Sequence, residues 1–165
     1  MAKKAVAKKA AAKQVKSPKL PTWDLTDFYK SPSDPAIDRD FKSLEQKATR
    51  FAKSYAGKLS ALSADGLAKA LAEYEQLQDG LGKIGSYAQL LYALDMAKPA
   101  HTQFYQNAQE QLTVITSQMV FFTLELNKLA DAVLAKAYKQ SKKLAHYKPW
   151  LDAVRNSPPF LWKNY

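Results

Sequence analysis

Residues 34–57 read DPAIDRDFKSLEQKATRFAKSYAG, and this stretch decides the fold. Ile37, Phe41, Leu44, Ala48, Phe51 and Tyr55 recur at spacings of four, three, four, three and four. A 3.6-residue period returns those positions to one side of an α-helix, and a strand would scatter them over both faces. Both ends carry the right punctuation. Asp34 before Pro35 is an N-cap followed by a residue whose missing N–H costs nothing at the first helical position. Gly57 stands where a helix that closes at about residue 56 needs a left-handed residue. An amphipathic helix with a single apolar stripe must lay that stripe on something. The neighbouring segments are therefore expected to supply more helices.

They do so along the rest of the chain. Ser63 or Asp65 starts a second helical stretch, carried by Leu67, Leu71, Tyr74, Leu77, Leu81, Ile84, Leu91 and Leu94 to about residue 97. Gly80, Gly82 and Gly85 fall inside it, each costing about 1 kcal/mol relative to alanine. The stretch is thus one bent helix or two helices in line, and close approach of another backbone would be a reason for the glycines. Pro99 opens what reads as the longest helix, to about residue 128, with Phe104, Ala108, Leu112, Ile115, Met119, Phe122, Leu126 and Leu129 as its main stripe. Between 119 and 126 it is apolar nearly all round, a pattern that predicts burial on several sides. Shorter helices are expected at about 131–140 and 148–156. No alternating apolar run of strand length appears. The fold class is all-α: a bundle of long, mostly antiparallel helices with short connections.

Ahead of the bundle lie two other kinds of sequence. Residues 1–20 carry seven lysines and no acid, so they hold most of the net charge of +10. Low complexity and too little apolar area to offset ordering entropy predict a disordered basic tail, solvated or acting as a weak phosphate-binding arm. The body beyond it is nearly balanced, with 18 bases against 15 acids, which gives little reason to propose a nucleic-acid partner. LPTWDLTDFYKSPSDP, residues 20–35, has too many prolines for a long helix and too many large apolar residues for a free linker. It is expected to be an irregular strap docked on the body through Trp23, Leu25, Phe28 and Tyr29. The absence of cysteine excludes disulfides and thiolate metal sites. No apolar run approaches the length needed to span a membrane, and the first residues have neither an apolar signal core nor a transit-peptide composition. The expected location is the cytoplasm, with no membrane partner.

Chemistry is scarce. Gly80-Leu-Gly82-Lys-Ile-Gly85 matches G-x-G-x-x-G, but that pattern cradles a pyrophosphate only after a strand and at the opening of a helix. The preceding AKALAEYEQLQD is helical, so a packing or kinking role is the better reading. His101 and His146 lie 45 positions apart, and neither has the second ligand one turn away that a helical zinc site needs. Both are expected at the surface or in caps. The carboxylate pairs Glu73 with Glu75 and Asp24 with Asp27 do not face each other on a helix. Tyr74, Tyr87, Tyr92, Tyr105, Tyr138 and Tyr147 suit either a cleft wall or a half-buried bundle edge. No catalytic, metal or cofactor-binding residue is assigned.

One ordered set of segments goes further. Trp23-Asp24-Leu25-Thr26-Asp27-Phe28-Tyr29 resembles the W-D-L-[ST]-D-L-Y opening of the oligoendopeptidase F family, zinc metallopeptidases related to thimet oligopeptidase. FAKSYAGK (51–58), IGSYAQLLYALD (84–95), VFFTLEL (120–126) and YKPWLDAVR (147–155) resemble the same family in the same order. The resemblance covers roughly residues 20–157. It implies a helical N-terminal region, residues 21–157, that packs against a larger catalytic domain, with short peptides cleaved in a channel between them. It also implies zinc held by H-E-x-x-H plus a later glutamate in that second part, and no position here corresponds to those ligands. Residues 158–165 depart from the family pattern. With Phe160, Leu161 and Trp162 so near Tyr165, they read as a truncated linker at the cut edge of a larger protein. The chain alone is expected to be inactive. The competing expectations are a stand-alone helical interaction scaffold and, with less to support it, a nucleic-acid-associated protein working through the lysine tail.

Overall fold

A computed structural model describes residues 23–156; the lysine-rich tail and the apolar end, and the readings that fall on them, lie outside the described residues. Seven α-helices and one short 3-10 turn make up the described fold, with no strand among those residues. The helices are α1 (Pro35–Tyr55), α2 (Ala64–Leu94), α3 (Pro99–Ser117), α4 (Val120–Lys128), α5 (Asp131–Gln140), α6 (Lys142–His146) and α7 (Lys148–Asn156). The 3-10 turn is Leu59–Ala61.

Helix α1 obeys its sequence. The Asp34 side chain accepts the Ala36 N–H at 2.9 Å, and all six stripe residues are buried. Gly57, at φ 74°, is the residue past the helix end that takes the left-handed conformation. Helix α2 begins on Ser63, whose hydroxyl accepts the Gly66 N–H at 3.1 Å. It then runs unbroken for 31 residues, about 46 Å at 1.5 Å per residue. The choice between one helix and two is settled as one. The close approach at Gly80 involves a side chain and not a backbone: a Cβ there would lie 2.5 Å from Leu44 Cδ2 of α1.

Helices α1, α2 and α3 run antiparallel in succession. Leu44 lies against Gly80 and, further along α1, Phe51 lies 6.0 Å from Tyr74, so one helix climbs as the other descends. The same holds for α2 and α3, where Gly85 faces Leu112 and Tyr92 stacks on Tyr105. The shorter helices α5 and α6 wrap the first half of α2. Ser141 joins them: its N–H closes α5 on Ala137 O, its hydroxyl caps α6 at Leu144 N–H, and the same hydroxyl donates to Asp65 of α2 at 2.6 Å.

Three expectations need correction. The segment from Pro99 to residue 128 is not one helix, and α2 is the longest. Residues 113–117 are Thr-Val-Ile-Thr-Ser, a β-branched run that stiffens χ1 and lowers helix propensity. Ser117 Oγ donates back to Val114 O at 2.7 Å and Thr113 Oγ1 to Gln109 O at 2.8 Å, the kind of hydroxyl bond that competes with and bends the ladder. The chain turns at Gln118 and Met119, and Thr49 of α1 pins Gln118 by a 2.9 Å hydrogen bond. The second correction concerns α4, which is not buried on several sides. Met119, Phe122 and Leu126 are buried, whereas Val120 and Leu124 on the opposite side are about half exposed. Third, the strap docks through Tyr29, with Leu25 and Phe28 packed against the core, but Trp23 is exposed.

Tyr29 holds the strap by both ends of its side chain. Its ring meets Tyr87 edge-on at 5.1 Å, and its hydroxyl donates to Asp40 Oδ2 at 2.7 Å. Lys83 reaches the same oxygen at 3.1 Å and lies over the Tyr29 ring. Partial burial pushes the Asp40 carboxyl up, but these two donors outweigh it and hold the group below its ordinary value. Burial and the adjoining Asp40 charge push the Tyr29 phenol well above its ordinary value.

Candidate functional site

The five ordered segments pack in two sets, the first against the third, and the fourth against the second and the fifth. Tyr29 of the first contacts Tyr87 of the third. Phe51 of the second lies 5.0 Å from Phe122 of the fourth, and the Gly57 N–H donates to Glu125 Oε1 at 2.7 Å. Arg155 of the fifth donates to the carbonyls of Leu126 and Leu129 at 2.8 and 2.6 Å and pairs with Asp131. A helix C-terminus leaves carbonyls without intrahelical donors; the guanidinium supplies a donor to Leu129 O, adds a second to Leu126 O, which also accepts the Leu129 N–H, and ties α7 to the end of α4. The residues that carry the resemblance are thus those that assemble the bundle, and they define a helical domain more than a chemistry.

Where could this surface act on another molecule? One candidate lies between α2 and α6–α7, a groove of about 300 Å³. Tyr74, Glu75, Gln78 and Asp79 reach it from α2 because positions three and four apart share a helix face. Tyr147 and Trp150 close it from the other side. The Tyr74 ring stacks on buried Phe122 at 4.7 Å and stands 5.8 Å from Trp150 at 52°. Gln78 donates to the Tyr74 hydroxyl at 2.8 Å, and the Tyr147 hydroxyl donates to Glu75 Oε2 at 2.7 Å. That bond is the main reason the Tyr147 phenol titrates above its ordinary range. Burial raises the Tyr74 phenol, against the opposing effect of Gln78. The groove is apolar at its floor and acidic at its rim, and it carries no nucleophile activated by a base.

The other candidates disperse. The three glycines sit in the middle of α2, so G-x-G-x-x-G forms no phosphate cradle. His101 is not at the surface: it is 8% exposed at the start of α3, and its Nδ1 has no partner among the described residues. His146 is exposed on α6, at the edge of the groove. Among the described residues no three His, Asp or Glu side chains gather as a metal site. Glu73 and Glu75 point apart; Glu73 faces Lys69 and Glu75 faces Tyr147. The tyrosines divide between the two readings: Tyr87 is core, while Tyr74 and Tyr147 line the groove. Sequence reasoning missed Gln78, Asp79 and Trp150. The only signal was that Glu75 and Asp79 share an α2 face, and nothing local brings Trp150 across to it.

The fold and its groove define an all-α domain of stacked antiparallel helices. Comparison with curated proteins finds a distant likeness to oligopeptidase PepF of Bacillus subtilis (strain 168), 25% identical over 138 residues. The aligned part is 84% of this chain and 20% of that protein, so the chain spans about a fifth of the length of the relative it matches. No family profile matches the chain, and no solved structure does. Among the described residues no helix is long and apolar enough to cross a membrane.

Proposed function

We propose that this chain is the N-terminal, channel-shaping part of an oligoendopeptidase-F-like zinc peptidase, and that it acts on short peptides only together with a catalytic part. The likeness to PepF, running through most of this chain and a fifth of the relative, carries the reading. Helix α4 is consistent with it. Val120 and Leu124 form an exposed apolar face opposite the buried one, a surface that a larger partner domain would cover. Zinc and the activated water would belong to that partner, so no step of hydrolysis is derived from these residues. This part would wall the channel and keep large substrates out.

The test is complementation. Bacillus PepF deleted of the segment this chain matches is mixed with this chain, and hydrolysis of an internally quenched short peptide is followed. Recovery of chelator-sensitive hydrolysis by the mixture, with none from this chain alone, is the expected result. Failure of the two to associate in a sizing column, or chelator-sensitive cleavage by the pure chain, would overturn the reading.

A further inference from the structure

The groove between α2 and α6–α7 is lined by carboxylates with neither lysine nor arginine among them. Four other clefts on the described surface each carry a base: Lys42 between α1 and α3, beside Asp38, Glu45 and Glu110; Arg50 and Lys47 along α1; and Lys69 and Lys143 beside α6. This groove has Glu75 and Asp79 and neither Lys nor Arg, with His146 at its edge, in a chain of net charge +10. The two carboxylates stand one turn apart on α2, where like charges repel. Neither carboxylate forms a salt bridge among the described residues. The nearby Lys83 is committed to Asp40 and Lys148 to Asp152, and Glu75 is bonded only to a neutral phenol. Beside the acids stand the faces of Tyr74 and Trp150, splayed at 52° and partly open to solvent. Aromatic faces and carboxylates around a cavity of side-chain size are a combination that attracts a cation by ring quadrupole and by charge together.

We propose that this groove binds the basic side chain, arginine above all, of a peptide supplied from outside the chain. A guanidinium is planar, weakly hydrated and armed with five donors, so it can lie on an indole face while its edge pairs with carboxylates. Asp79 supplies the free carboxylate, and Glu75, oriented by Tyr147, supplies the second. The proposal requires only the groove and stands apart from the peptidase reading.

The experiment titrates the nitrogen-labelled full chain with a blocked pentapeptide, Ala-Ala-Arg-Ala-Ala, and with its citrulline twin, which keeps shape and loses charge. The indole N–H resonance of Trp150, identified by its loss in Trp150→Phe, is the readout. A saturating shift with the arginine peptide, weakened by high salt, is expected. Asp79→Asn, an exposed and near-isosteric change, should weaken it by about threefold to tenfold. Equal binding of the citrulline peptide, no effect of Asp79→Asn, or no saturation by about 10 mM peptide would overturn the proposal. So would a Trp150 shift caused, without peptide, by deleting residues 1–20, because the groove would then belong to the chain's own lysines.

Discussion

Two of the three glycines in the middle of α2 make a paired test of how the helix is built. At Gly82 nothing lies within 4 Å of an added Cβ, and the position is exposed in the middle of a helix. Gly82→Ala should therefore stabilise by about 0.5–1 kcal/mol, the propensity difference with no packing term. At Gly80 the same methyl would sit 2.5 Å from Leu44 Cδ2 and 3.4 Å from Leu44 Cγ. Leu44 is buried, so its end cannot swing freely. Overpacking costs about 1–3 kcal/mol, which exceeds the propensity gain, and Gly80→Ala should be neutral to destabilising by about 2 kcal/mol. Urea unfolding followed by far-ultraviolet circular dichroism gives both values if the slopes match. The melting temperatures should separate by about 3–10 °C. Placing Gly80→Ala on a Leu44→Ala background removes the clash, and there the substitution should stabilise by about 1 kcal/mol. Destabilisation by Gly82→Ala would refute a continuous α2, since only a break or a left-handed turn at 82 would penalise alanine there. Equal effects at 80 and 82 would refute the Leu44 contact.

Arg155→Ala leaves Leu129 O without its donor and Leu126 O with only the Leu129 N–H, and should cost about 1–3 kcal/mol; hydrogen exchange should show α7 opening first, and Arg155→Lys should recover little because the bonds need the guanidinium fork. Glu125→Gln weakens the carboxylate that accepts the Gly57 and Leu59 N–H groups. A loss of about 0.5–1.5 kcal/mol is expected, measured by urea unfolding. Asp40 titrates below its ordinary 3.8 in the fold. Its contribution is present above that value and is lost as pH falls through the lower folded one, and Asp40→Asn should flatten that limb of the stability profile. The raised Tyr29 phenol acts at the other end: above about pH 10 the unfolded chain releases a proton that folded Tyr29 keeps, so stability falls there. Other phenols are raised as well, so Tyr29→Phe should remove the Tyr29 share of that loss and no more, read from unfolding at high pH. Val120→Glu with Leu124→Glu should leave the melting temperature nearly unchanged, because both side chains are exposed, yet abolish recovery in the complementation assay.

What the sequence determined by itself was whatever depends on neighbours within one or two turns. The α1 stripe, the Asp34 cap, the Gly57 stop and the helices beginning at 131 and 148 follow from periodicity and local hydrogen bonding, which act over a few residues; the choice of Ser63 over Asp65 as the α2 cap came from the structure. Tertiary structure decided the rest. The apolar run at 119–126 reads as burial on every side, but a partner must stand on each side, and around Val120 and Leu124 none does among the described residues. His101 reads as polar surface, yet packing at the start of α3 encloses it. The chain turns between α3 and α4 where a β-branched run meets the Gln118 bond to Thr49, a residue 69 positions away in sequence. The groove is the clearest case. Its α2 acids are legible as one helix face, but Tyr147 reaches Glu75 across 72 positions. Local physics sets a helix and its face; only the packing of whole helices sets which faces meet, and a binding site lies where they do.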